Sequence, residues 1–160
     1  MSLHIRPATK ADAEAVLALA HRLREGVAPW RDEAAVAAAV RGWVEGSLAS
    51  IGELGHAMLV SEQAGEVVGF VSVSPGRHWS GEAEATIGEL VVAPAVEGRG
   101  LGRALVEAAL EHARADGYQR ISVSTGAANA RARALYARLG FEDEDVTLSC
   151  WIGGLANGEP

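Results

Sequence analysis

Three glycines at alternate positions constrain this chain more than any other feature. They stand in Glu97-Gly98-Arg99-Gly100-Leu101-Gly102-Arg103, directly after the β-branched-rich run Glu84 to Val92 and at the head of a stretch with Leu101, Leu105, Ala108 and His112 at helical spacing. A strand, a tight loop and a helix must follow one another here. Glycine lets the backbone come close to a ligand, and the free N–H groups at the start of such a helix carry roughly half a positive charge, so the segment suits phosphate. Spacing excludes two familiar phosphate loops. A dinucleotide fingerprint needs a third glycine where Arg103 or Leu105 stands, and a nucleoside-triphosphate loop needs Gly-Lys-Ser/Thr, whereas Lys10 is the only lysine.

Around this unit the pattern predicts an alternation of strands and helices. Leu3 to Arg6 reads as a short strand stopped by Pro7, and Thr9 with Asp12 forms the start signal of a helix with Val16, Leu19, Ala20 and Leu23 on its apolar stripe. A break over Gly26 to Trp30 separates it from a second stripe: Val36, Val40, Trp43, Val44 and Leu48. Ala57 to Ser61 and Val67 to Val73, parted by Gln63, Ala64 and Gly65, predict an antiparallel hairpin, and Ser74 to Gly81 reads as a loop. Beyond the glycine unit, Ile121 to Ser124 predicts a strand and Asn129 to Leu139 a helix closed by Gly140. Val146 to Ile152 then predicts a last strand. Residues 1–152 are expected to form a single domain, and 153–160 a small, polar, flexible tail.

Composition narrows the class. With 160 residues, 49% hydrophobic and 22% charged, the chain has the balance of one globular domain with a substantial core. No apolar run reaches the roughly 18 residues of a membrane span, and Met1 to Thr9 lacks the layout of a secretory signal, so a cytoplasmic location is the default expectation. Cys150 is the single cysteine, which rules out an intramolecular disulfide and a cysteine-based zinc cluster and reads as a packed thiol; no metal is expected. A net charge of −7 argues against a nucleic-acid surface and is compatible with a cationic substrate, although a mild acidic excess also serves solubility.

A second informative segment runs from Asn129 through Ala-Arg-Ala-Arg-Ala-Leu-Tyr136-Ala-Arg-Leu to Gly140-Phe141. Asn129 and Tyr136, seven positions apart, lie on one face of a continuous helix. Taken alone, Tyr136 reads as a ring packed inside with a wet hydroxyl.

Taken together, Gly88-Glu89-Leu90-Val91-Val92-Ala93-Pro94, the Gly98 to Arg103 loop and the Asn129 to Phe141 helix resemble the GNAT superfamily of acyl-coenzyme A dependent N-acyltransferases in order and approximate spacing. The resemblance covers residues 84 to 141 and departs at Glu97, where the family usually has Gln or Arg; the Glu97 side chain is expected to turn to solvent. It implies an α+β fold with a mixed, mostly antiparallel sheet flanked by helices and splayed between the strand ending at Val92 and the strand from Ile121. Coenzyme A is expected in that gap, with acetyl-coenzyme A as acyl donor. By the same resemblance the pantetheine arm follows the backbone of Val91 and Val92. Pyrophosphate rests on the amides of Gly98, Arg99, Gly100, Leu101, Gly102 and Arg103, with Arg99 or Arg103 adding a side-chain contact. Asn129 bonds the arm and Tyr136 sits near the sulfur as donor to the leaving thiolate.

Glu89 is the candidate base. It shares the phase of Ala85, Ile87 and Val91 if the strand is regular and changes face if a bulge lies near Gly88; Glu84 and His78 are substitutes. Trp30, His78 and Trp79 lie in loops that line the acceptor site in similar folds, or else plug the core. The expected activity is transfer of acetyl to a primary amine of a small molecule, with a protein N-terminus or lysine, or a non-catalytic acyl-coenzyme A sensor, as alternatives. A homodimer is compatible with the sequence, and neither nucleic acid nor membrane is an expected partner.

Overall fold

The computed structural model describes residues 3–153. Five strands form one sheet in the order β1 (His4–Pro7), β2 (Ala57–Gln63), β3 (Glu66–Arg77), β4 (Ala83–Val92), β5 (Ile121–Val123). Neighbours are antiparallel except β4 and β5, which run parallel as a strand–helix–strand crossover requires. The sheet is therefore mixed and mostly antiparallel, and four helices flank it: α1 (Ala13–Leu19), α2 (Glu33–Ala49), α3 (Leu101–Ala115) and α4 (Ala130–Arg138).

Each face of the sheet carries its own core. On one face Leu101, Leu105, Val106 and Ala109 of α3 and Tyr136 of α4 pack on Val71, Val73, Ala85 and Ile87. On the other, Val16 of α1 and Val40 and Val44 of α2 cover Met58, Val60, Phe70 and Val91. The Thr9 and Asp12 capping box is present, and Arg6 clamps the Asp12 carboxylate at 2.8 and 2.9 Å, holding it well below the usual carboxylate range. The β2–β3 hairpin turns on Ala64 and Gly65, both at positive φ (52° and 83°).

Two expected boundaries are corrected. Residues 74–77 belong to β3 instead of a loop, with Pro75 opposite Ala85. The Ala85 N–H bonds the Arg120 carbonyl on the β5 side, so this is a non-hydrogen-bonded pair toward β3, and β2 pairs no further than Val73; the missing N–H of Pro75 leaves no ladder bond unmade. Val146 to Ile152 forms no strand: residues 142–153 have neither helix nor ladder. The tail expected over 153–160 lies, from residue 154 on, outside the described residues.

Candidate functional site

The sheet is parted where the glycine unit begins. β5 pairs only with Ala85, Thr86 and Ile87, so beyond Ile87 the outer edge of β4, Gly88 to Val92, has no strand beside it. A cavity of about 660 Å³ opens in the gap. It is lined on the α3/α4 side by Gly98, Gly100, Gly102, Asn129 and Tyr136, and on the α2 side by Leu23, Val27 and Trp43. The cleft thus passes from one face of the sheet to the other.

At one end the chain reaches α3 through Gly98 (φ 74°) and Gly100 (φ 80°), a left-handed conformation that disfavours any side chain. Gly100 caps α3 without a side-chain acceptor, which leaves the first-turn amides of Leu101, Gly102 and Arg103, three residues that line the cavity, without an intrahelical partner. Gly102 serves a different purpose: a Cβ there would sit 3.3 Å from Leu135 Cδ2 and press on that α4 side chain. These features fit an anionic group at this end. Of the two arginines expected beside it, Arg103 lines the cavity and pairs with Glu107 at 2.8 Å, whereas Arg99 lines a separate recess with Leu3 and Gln63.

Glu97 does not turn to solvent. Its carboxylate pairs with Arg22, from the turn after α1, and with Arg131 of α4, and the Arg131 hydrogen bond is the main reason its proton affinity is lowered. One acidic side chain thereby ties together three walls of the cavity mouth. Close by, Gly26 and Gly126 permit the loop after α1 to touch the loop after β5, since a Cβ on either would run into the other loop.

Tyr136 lines the cleft. Its ring packs on Phe141 (centroids 5.3 Å apart), its hydroxyl bonds no other described residue, and burial pushes its pKa up to about 12, so it stays protonated. Asn129 lines the same wall, though as the N-cap of α4 instead of a residue within it. Its Oδ1 accepts from the Ala132 N–H at 3.1 Å, which leaves the amide nitrogen for a ligand.

Glu89 is decided by a bulge. Val71 pairs with Leu90 and Val73 with Ile87, so Gly88 and Glu89 together oppose Ser72. The regular phase is broken: Ala85 and Ile87 pack toward α3, whereas Glu89 turns to α2 on the side of Val91. Its buried carboxylate accepts from Ser47 Oγ at 2.9 and 3.2 Å and from Ser72 Oγ, and the Ser72 hydroxyl accepts from the Glu89 N–H at 2.9 Å. Burial raises its proton affinity and the two serine bonds partly offset the rise. The side chain does not line the cleft, but its neighbours Gly88 and Leu90 do, and Trp43, one helical turn before Ser47, forms the wall beside it.

The loop aromatics stand elsewhere. Trp30, Trp79 and His78 do not line the cleft; both tryptophans are exposed, and His78 packs against Trp79 with its Nδ1 2.6 Å from Ser80 Oγ. Glu84 accepts from Ser122 at 2.8 Å at the closed end of the β4–β5 pair. Among the lining residues that the sequence pattern did not single out for the site are Trp43, Leu23, Val27, Arg22 and Arg131. Trp43 carried a signal, since it falls one position off the Val36, Val40, Val44 spacing and so at the margin of the buried stripe.

Fold and cleft together define an α+β protein whose sheet parts around a cleft that has a glycine-rich helix start at one end. The sequence profile of the acetyltransferase (GNAT) family matches residues 16–141. An L-methionine sulfoximine/L-methionine sulfone acetyltransferase of Pseudomonas aeruginosa is 31% identical over 89% of this chain and 81% of its own. An uncharacterised N-acetyltransferase of Escherichia coli is 41% identical over 60% of this chain, and the match spans 57% of that relative's length. The N-acetyltransferase PaiA of Thermoplasma acidophilum, solved in complex with coenzyme A, shares the fold with a TM-score of 0.76 at 19% identity, covering 92% of this chain and 94% of that one. The chain belongs to the GNAT acetyltransferase family.

Proposed function

We propose that this chain is an N-acetyltransferase, with its domain over residues 1–152, that moves an acetyl group from acetyl-coenzyme A directly to a primary amine of a small molecule in the cytoplasm. The observation that carries the reading is the cleft that crosses the sheet: a glycine-rich helix start and a buried tyrosine open on one face, and a buried carboxylate lies against the other. Donor and acceptor then approach one carbonyl from opposite sides. The free amides of Gly98 to Arg103 hold pyrophosphate, the unpaired edge at Val91 and Val92 and the Asn129 amide nitrogen hold the pantetheine arm, and Leu23, Val27 and Trp43 contact the acceptor in place of the loop aromatics.

The thioester supplies an acyl carbon that gains a bond to nitrogen as its bond to sulfur breaks. An alkyl amine with a pKa of about 10.4 is protonated at pH 7, and freeing it costs about 4–5 kcal/mol. Glu89, reached through one water, takes that proton on the α2 side. Tyr136 gives its proton to the departing thiolate and is reprotonated by the second proton that the nitrogen loses on becoming an amide, a task suited to a phenol that burial keeps protonated. The printed substrate of the Pseudomonas relative, an amino-acid sulfoximine or sulfone, makes small α-amino acids the first acceptors to try.

Thiol release from acetyl-coenzyme A across amino acids, polyamines, aminoglycosides and short peptides tests the reading. Release that requires one small amine supports it. A peptide-only response moves the acceptor class, binding of coenzyme A without release from any amine points to a sensor, and no binding overturns the reading.

A further inference from the structure

A bulge takes main-chain groups out of the ladder, and where it is buried those groups need another partner. At Gly88 and Glu89 that partner is a side chain. The Glu89 N–H donates to Ser72 Oγ at 2.9 Å, and the Ser72 hydroxyl donates to the Glu89 carboxylate. Both residues are buried. An N–H can only donate, so the one hydroxyl hydrogen of Ser72 has to go to the carboxylate, and the direction of both bonds is fixed. Ser47 Oγ reaches the same carboxylate from α2 at 2.9 and 3.2 Å, but its bonds stop at the side chain. Among the described residues no charged group bonds to Glu89; the two serine hydroxyls do.

Gly88 is matched to that hydroxyl. A Cβ at Gly88 would lie 2.8 Å from Ser72 Oγ, and it would have no other neighbour within 4 Å beyond the adjoining residues. The φ of Gly88 lies outside the left-handed region, so backbone conformation does not call for glycine here. What the missing side chain provides is room for one oxygen atom. Gly88 and Leu90 also line the cleft, on the stretch of β4 that has no strand beside it. One hydroxyl therefore meets both the path of that edge and the carboxylate behind it.

We propose that Ser72 is a positioning residue for acyl transfer: its hydroxyl locks the Gly88–Glu89 bulge and, through the same atom, aims the Glu89 carboxylate. The role rests on the acyl-transfer reading with Glu89 as base. Without the hydroxyl a buried N–H loses its partner and the regular register competes, which turns position 89 from the α2 face to the α3 face. Base and edge then move together. Loss of Ser72 thus harms both kcat and the KM for acetyl-coenzyme A, whereas Glu89→Gln keeps the backbone bond and harms kcat alone.

The test compares full-length Ser72→Ala, Ser72→Thr, Gly88→Ala and the pair Ser72→Ala with Gly88→Ala, by thiol release over pH 4–9. Ser72→Ala should lower kcat/KM about 10–100-fold, with part of the loss in KM, and raise the acid limb by about one pH unit. Ser72→Thr keeps the hydroxyl and should restore both rate and limb. Gly88→Ala pushes the hydroxyl aside without deleting it, so it should reproduce the loss and the shifted limb, and it reads the lock even if Ser72→Ala folds poorly. Added to Ser72→Ala, where the space is vacant, it should cost less than about twofold more. A Ser72→Ala chain with the wild-type rate and limb, a loss that Ser72→Thr does not restore, or fully additive losses in the pair overturns the lock. Absence of thiol release from the wild-type chain with every amine tried overturns the acyl-transfer reading itself, and the positioning role with it.

Discussion

Replacing Glu89 with Gln separates what this carboxylate does for the reaction from what its burial does to the fold. The substitution keeps the shape of the site. Ser72 Oγ can still donate to the side-chain carbonyl, and Ser47 Oγ, which now donates to Glu89, can turn to accept from the new amide; only basicity is removed. Loss of a positioned base slows transfer by about 10²–10⁴-fold, or about 3–5 kcal/mol of barrier. The acid limb of the wild-type kcat/KM profile should lie above 4.5, because burial raises the Glu89 proton affinity, and this limb should vanish in the variant. Deleting one of its donors by Ser72→Ala should move the limb further up in pH. Stability should change in the opposite sense. A carboxyl whose folded-state proton affinity exceeds its unfolded value contributes stability below pH 4.5 and loses it as pH rises through the folded value. Above the folded value the wild type bears the whole penalty of the buried charge, so Glu89→Gln should melt higher on the alkaline side, with the gap closing toward acid pH. Thiol-release kinetics and thermal melts over pH 4–9 read both effects. A variant that keeps the wild-type rate at pH 7, or the wild-type acid limb, refutes the base; a melting difference that does not change with pH refutes the desolvation argument.

Other perturbations probe the remaining walls. Tyr136→Phe should cut kcat while leaving the affinity for acetyl-coenzyme A nearly unchanged, measured by stopped-flow turnover and calorimetry; equal losses in both would make the tyrosine a packing residue. Glu97→Gln removes a negative charge beside the glycine loop and releases Arg131, while Arg22 keeps Glu25 at 3.0 Å, so coenzyme A should bind about fivefold more tightly at low salt, an advantage that fades as salt is added. Gly126→Ala sets a methyl against the Gly26 carbonyl, a backbone group that cannot yield cheaply. About 1–3 kcal/mol of overpacking should lower Tm by roughly 2–12 °C, and differential scanning calorimetry checks it.

Local patterns carried most of the architecture. The helical stripe of α3, the Ala64-Gly65 turn, the Thr9 and Asp12 cap and the left-handed glycines before α3 each depend on backbone angles and faces set within a few residues, so they were legible in order. The glycine-rich end of the cleft was legible for the same reason, because it is one loop and the start of one helix. Tertiary structure decided what depends on distant partners. Whether Glu89 faced α3 or α2 turned on one extra residue opposite Ser72, and a single-residue slip reverses every side chain that follows. Glu97 meets Arg22 across 75 positions of sequence, and Trp43 lines the cleft only because α2 packs over the parting of β4 and β5. The strand pattern of residues 146–152 was also plain in the sequence, but a strand exists only where its backbone finds a neighbouring edge, and among the described residues that segment pairs with none.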